Sequence, residues 1–394
     1  MTALEEIAVA VLSGADGKAM LVAGLSIAVM VAVILAASAG YFRMILNIAL
    51  FAQPDARVRA IGNPMIGREG VREALEAGNL HDLFERFAAL GHRMPAVPGL
   101  DGQEADRLVR VHHYEAVMRL IESVPDGVRH FFVAYAAMIG TGEAAAIVAA
   151  KGRGLSPAAI EERAVSIGAL TPERVRKAAH AGSEEEAIRR MAKAPFGPAL
   201  ARAHAAAAGD TAAFSALSLA AALTEMGVAA RGVDISLSPP VVETAGRMVD
   251  AANLRALVRA RASGTGREAA ARHLIRAGGF EITGERLLHA ERAGNLADLV
   301  AAVEGTRYHR YLAALPGAVQ EGDAAALEAA LDRCILDAAR GIASQYHLES
   351  GPLLRHLVAL GYEARNMRAI AVGVATGAPT EEIERVLIVE ETEA

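Results

Sequence analysis

The segment Ala74-Leu-Glu-Ala-Gly78-Asn79-Leu80-His-Asp82-Leu83 returns further along the chain as His289-Ala-Glu-Arg-Ala293-Gly294-Asn295-Leu296-Ala-Asp298-Leu299. A weaker copy, without the leucines, stands between them as Ala178-Ala-His-Ala181-Gly182-Ser183-Glu-Glu-Glu-Ala187. The glycines are 104 residues (78 to 182) and 112 residues (182 to 294) apart, a spacing that marks three diverged copies of one unit. Each copy follows an apolar, helix-like run: Val71 and Leu75; Val175 after Thr171-Pro172-Glu173-Arg174; Leu287 and Leu288 after Thr283-Gly284-Glu285-Arg286. A threonine N-cap with proline in the first turn is a helix opening, and the glycine after each run can serve as a left-handed C-cap. Each copy therefore reads as a helix, a tight turn and a second helix.

A second motif keeps the same beat. Asp250-Ala-Ala-Asn253-Leu-Arg255-Ala256-Leu257 returns 113 residues later as Glu363-Ala-Arg-Asn366-Met-Arg368-Ala369-Ile370, and Phe214 and Leu327 each stand 39 residues before the asparagine. In both copies a polar pair three residues apart shares one helix face, where it can bind a partner or cross-link packed helices. Punctuation separates the units: Pro95, Pro98, Gly99 and Gly102 break the chain, while Ser238-Pro239-Pro240 and Gly322-Asp323 each open a long helix. Helical periodicity fills most of the rest, as in Leu353, Leu354, Leu357 and Leu360. The expected class is all-α.

Composition agrees. Of 394 residues 53% are hydrophobic, largely alanine, against 4% aromatic and no tryptophan, so small aliphatic side chains on close-packed helices must fill the core. A net charge of -6 and a pI near 6.1 leave no basic surface for nucleic acid. Cys334 stands alone, which excludes an internal disulfide and suits a small buried hydrophobe.

Between Lys18 and Arg43 no residue is charged, and this run, 19–42, is long enough to cross a bilayer as a helix. Glu5, Glu6 and Asp16 precede it, unlike the basic start of a signal peptide, so a retained anchor is expected. Arg43, Arg57 and Arg59 follow it, which places the body on the cytoplasmic side and the N-terminus outside. The alternative for the run is a core helix of the body.

Enzyme chemistry finds little support. Phe131 to Ile139 can be read as a strand, and Gly140-Thr-Gly142-Glu-Ala-Ala145 then has the G-x-G-x-x-A spacing of a dinucleotide loop. No further strands supply the parallel sheet such a loop needs. Walker A, H-E-x-x-H and G-x-S-x-G sequences are absent, and the twelve histidines are scattered apart from His112-His113. Catalytic residues, metal sites, cofactors and a small-molecule substrate are not expected.

The helix Glu363 to Ile370 followed by Gly377 and Thr380-Glu-Glu-Ile383, its relative at Asp250 to Arg261, and the segment Tyr41-Phe42 through Ala56-Arg57-Val58-Arg59-Ala60 resemble the C subunit of archaeal A-type ATP synthases, a family similar to the d subunit of vacuolar-type ATPases. The resemblance covers about residues 41 to 390. The apolar run is an addition to that family, and the middle copy carries Gly140 and Glu143 in place of the acid and the asparagine. It implies a non-catalytic funnel of three pseudo-threefold helical units, seated on the membrane rotor ring (the K/c subunits) and holding the D and F subunits of the central shaft. Torque would pass through it between ion transport and ATP synthesis. The units expected are 1–42 with the apolar helix, 43–130, 131–240 and 241–394. Arg57, Arg59, Asp250, Asn253, Arg255, Glu363, Asn366 and Arg368 are the candidate interface or structural positions. A membrane-tethered helical-repeat adaptor is the alternative.

Overall fold

The computed structural model describes residues 15–264 and 266–390. Among these, all regular structure is helical, apart from an isolated antiparallel bridge between Ile167 and Leu170. The chain divides into two compact units, one ending at Gln53 and the other beginning at Pro54. The division falls at the proline inside helix α1 (Ala15–Ile61).

In the second unit groups of short helices alternate with pairs of long ones. The series begins with the short pair α2 (Arg68–Leu75) and α3 (Leu80–Ala89), then the long helices α4 (Gly102–Ser123) and α5 (Asp126–Gly152). After α6 (Pro157–Arg163) come the short helices α7 (Pro172–Ala179), α8 (Glu184–Met191) and α9 (Gly197–Ala207), and the long pair α10 (Thr211–Arg231) and α11 (Ser238–Ala262). After α12 (Arg267–Ala271) follow α13 (Gly284–Arg292), α14 (Leu296–Ala302), α15 (Arg307–Ala313) and α16 (Pro316–Glu321), then the long α17 (Ala324–Gln345) and α18 (Gly351–Thr376). Helix α19 (Thr380–Val386) closes the described chain. The openings expected at Ser238 and at Gly322-Asp323 are both realised, the second with Asp323 accepting from the Ala326 N–H.

Each short pair is buried in the same kind of slot. In the middle copy, Val175, Ile188 and Met191 pack against Val148 near the end of α5 and Phe214 near the start of α10. In the last, Leu287 and Leu299 pack against Leu254 and Leu257 of α11 and Leu327 and Leu331 of α17. The first pair has no long helix before it within this unit; its Val71, Leu83 and Phe84 take Met367 and Ile370 of α18, with Val109 of α4 on the other side. The last long helix thus completes the core of the first copy.

The recurrent Gly-Asn motif turns out to be a reciprocal N-cap. Asn79, Ser183 and Asn295 accept from the backbone N–H of Asp82, Glu186 and Asp298 at 3.0, 3.2 and 2.8 Å. Those acids reach back to the N–H of Gly78, Gly182 and Gly294 at 3.1, 2.6 and 3.2 Å. Two otherwise orphaned donors are satisfied at each helix start, and a cap of this kind contributes about 1 kcal/mol. The middle copy lost its leucines and kept this electrostatic function through Ser183 and Glu186. The expected left-handed C-cap is corrected: none of the three glycines has positive φ. At Gly182 and Gly294 the constraint is room, because a Cβ there would sit 3.2 Å from the capping carboxylate.

The strand reading of Phe131 to Ile139 is overturned as well, since the whole segment lies inside α5. A short apolar run fits a buried strand or a buried helix equally well, and here the 27-residue helical context decides. Gly140 sits mid-helix under Phe196, whose Cδ1 lies 3.2 Å from where a Cβ would be. It is a packing glycine with no phosphate loop around it.

Cys334 is buried as expected, and burial pushes its thiol up to about 12. The uncharged run 19–42 lies wholly inside α1, and every large apolar side chain described from Val22 to Leu35 is exposed. Among the described residues two helices, Asp126–Gly152 and Ala213–Arg231, are long and apolar enough to cross a membrane, with 56% and 44% of their apolar windows buried, while Gly24–Leu35 is a shorter apolar stretch. The N-terminal residues 1–14, whose orientation the charge pattern addresses, lie outside the described residues.

Candidate functional site

The two recurrent polar pairs share one geometry at their asparagines. Asn253 on α11 donates to the carbonyl of Ile275 at 2.9 Å and accepts from its N–H at 2.7 Å. Asn366 on α18 grips Ile388 in the same way, at 2.7 and 3.0 Å. In both copies the peptide held lies 22 residues beyond the asparagine. Both side chains are buried, and a primary amide offers a donor and an acceptor side by side to match a peptide edge.

The acids one turn earlier have diverged. Asp250 accepts from the N–H of Phe280 (3.1 Å) and Glu281 (2.7 Å) and from the Tyr308 hydroxyl (3.2 Å), so it pins the loop that follows its own helix. Burial still wins over these donors and holds the Asp250 carboxyl above its ordinary range. Glu363 instead accepts from the N–H of Ile66 at 3.0 Å and lies 3.2 Å from His92 Nε2, joining the last long helix to the first copy.

The arginines two residues after each asparagine complete the set. Arg368 donates to Asp106 at 2.6 Å; Asp106 is also 2.8 Å from Arg110, which donates to Glu143 at 2.6 Å. This chain of charges links α18, α4 and α5. Glu143 is the residue that stands in place of the asparagine, and its carboxyl is raised, by burial first, with Arg110 opposing. Arg255 pairs with Asp332 on α17, which also receives Arg365 and, at 3.1 Å, the Tyr362 hydroxyl. Asp332 is fully buried, and the motifs gave no sign of it.

Asp332 borders a cavity of about 590 Å³ that several long helices help to line, through Met138 of α5, Leu223 of α10, Arg255 of α11 and Tyr362 and Arg365 of α18. Its wall is largely apolar, with the Asp332 cluster and the Arg259–Glu328 ion pair set into it. Such a recess can grip a complementary surface. Among the described residues no group of three or more His, Cys, Asp or Glu is placed to hold a metal ion.

The remaining two candidates stand near the end of α1. Arg59 donates to the His347 carbonyl at 2.8 Å, and Arg57 borders a smaller pocket beside His92 and His112. Asp55, one turn before Arg59, is buried with Oδ1 lacking a hydrogen-bond partner, and burial raises its carboxyl from 3.8 to about 7 despite Arg59. A carboxyl whose folded pKa is raised contributes stability below its unfolded pKa that is lost as pH climbs through the folded value. Between pH 3.8 and about 7 this group therefore destabilises the fold as pH rises. Asp55→Asn is expected to raise the melting temperature at neutral pH and to flatten that pH dependence, measured by thermal denaturation across the same window; a lower melting temperature at neutral pH would contradict the assignment.

Comparison with known proteins gives the family. The family model described as ATP synthase (C/AC39) subunit matches residues 54–386. The C subunit of the A-type ATP synthase of Methanothermobacter thermautotrophicus is 24% identical over 346 residues, which cover 84% of this chain and 85% of that protein. The protein of the same name from Methanocaldococcus jannaschii is 26% identical over 147 residues, 37% of each chain. The family match begins at Pro54, where the second compact unit begins, and takes in all three copies of the repeated turn and both asparagine helices; the chain belongs to the ATP synthase (C/AC39) subunit family.

Proposed function

We propose that this chain is the non-catalytic socket of an A/V-type ATP synthase, joining the membrane rotor ring (the K/c subunits) to the D and F subunits of the central shaft and passing torque during ATP synthesis coupled to H⁺ or Na⁺ transport. The observation that carries the reading is the cavity lined by the long helices α5, α10, α11, α17 and α18, with α18 bonded back to the start of the body through Glu363 to Ile66 and Arg368 to Asp106. A torque-bearing part must resist shear between its units. The internal clamps at Asn253 and Asn366 and the ionic links at Asp106 and Asp332 suit that load, and a funnel of three such units, drawn from about residues 43–130, 131–240 and 241–394, is the shape we assign. Arg255, which lines the recess, is our choice for shaft contact.

The apolar part of α1 extends this to an anchored form of the protein, at the cell membrane with the body on the cytoplasmic side. Exposed apolar side chains from Val22 to Leu35 support a lipid environment for that segment, because a water-facing surface of that kind is costly. Removing residues 1–42 is expected to release the isolated chain from membranes into the soluble fraction, read by sedimentation and immunoblot; unchanged retention would count against an anchor. For the socket itself, co-purification of the tagged chain with shaft and ring proteins is the test. A stable complex with other helical proteins and neither of those would favour the adaptor.

A further inference from the structure

Beside the end of α1 lies a pocket of about 250 Å³ whose charged or titratable lining is entirely basic, Arg57, Arg119, His92, His112 and His356, with Asn63 and Ser123 as neutral polar groups. No aspartate or glutamate lines it. Arg57 has no ion-pair or hydrogen-bond partner among the described residues, and Arg119 has only Glu115, 3.8 Å away on its own helix. The imidazoles form a series: His112 Nε2 is 3.4 Å from His92 Nδ1, and His92 Nε2 is 3.2 Å from Glu363. Their rings meet edge to face at 5.6 Å.

We propose that this pocket binds a phosphate-type oxyanion, with Arg57 and Arg119 as the charged donors and His112 as a third donor that gains its proton with the ligand. The site goes beyond the socket reading and does not depend on it. Two guanidiniums lining one pocket that holds no carboxylate can both donate N–H groups to one bound oxyanion. The volume falls below the roughly 300 Å³ at which drug-sized ligand sites begin, so it suits a headgroup-sized anion. His112 is held in its neutral form, at about 4, by burial first and then by His92 and Arg119. Facing it are Arg57 from α1, His92 from the α3–α4 loop backed by Glu363, His356 from α18, and His113, Glu115 and Arg119 of its own helix. All but the two acids are neutral or positive, so an anion in the pocket favours the imidazolium and binding strengthens as pH falls.

The test is calorimetric titration of the full chain, in detergent, with inorganic phosphate and separately with mixed micelles containing phosphatidic acid or phosphatidylcholine. Saturable binding of phosphate or phosphatidic acid, and none of phosphatidylcholine beyond the detergent background, is expected. Loss of about tenfold or more in affinity in Arg57→Gln and in Arg119→Gln is also expected, from removal of one charge-assisted donor each. Tighter binding of phosphatidic acid than of phosphate identifies a lipid headgroup, and the reverse identifies a free anion. His112→Gln should weaken the gain in affinity on mild acidification. Both arginines are solvent-exposed, so folding of their variants is checked by circular dichroism. Absence of binding to both phosphate species, or affinities unchanged in both arginine variants, would overturn the proposal.

Discussion

Replacement of Asp332 by alanine is expected to lower the unfolding free energy by about 3 kcal/mol, the low end of what removal of one partner from a buried ion pair costs. The carboxylate is fully buried and takes Arg255, Arg365 and the Tyr362 hydroxyl, which come from α11 and α18. Without it, two like charges and a buried hydroxyl are left around one void. The cost stays at the low end because the arginine side chains retain 27% and 46% of their exposure and can turn toward water. Asp332→Asn, which keeps the volume and one acceptor, should fall between. Urea denaturation gives the comparison, and a change of less than about 1 kcal/mol for the alanine variant would mean that the cluster is solvated and bears no load.

Asn366→Ala is expected to cost a comparable amount, roughly 2–4 kcal/mol, because it leaves both the N–H and the C=O of Ile388 buried without partners. Asn366→Asp retains the acceptor for the Ile388 N–H and loses the donor, so a smaller loss is expected. Amide exchange at Ile388 should accelerate in the alanine variant while exchange in the middle of α10 stays as it was. Acceleration spread evenly over the whole unit would point to global unfolding and against a local clamp. The equivalent change at Asn253 should act in the same way on Ile275.

The chain's organisation was legible wherever a local rule repeats itself. The Gly-Asn-Leu-x-Asp recurrence, the Thr171 cap, the Ser238 and Asp323 openings and the asparagine helices each carry their signal within a few residues, and the structure realises them. What those residues hold was not legible. Asn366 bonds an extended segment without periodicity, although an isoleucine 22 residues after both asparagines is a signal that could have exposed it. Arg255 finds its acid 77 residues away, and Glu363 finds Ile66 297 residues away, distances at which no spacing rule operates. The glycines of the repeated turn misled for another reason. Glycine after a helix most often marks positive φ, whereas here Gly182 and Gly294 make room for the acid of the following cap. Phe131 to Ile139 misled because a fully buried segment loses its periodicity whichever way it folds.

The socket assignment is tested most directly by electron cryomicroscopy of the ATP synthase purified through an affinity tag on this chain. One copy per complex is predicted, on the rotor axis, with its 590 Å³ recess facing density of the shaft and its opposite end on the ring. A purified ATP synthase lacking this chain, or one carrying it on a peripheral stalk, would contradict the assignment.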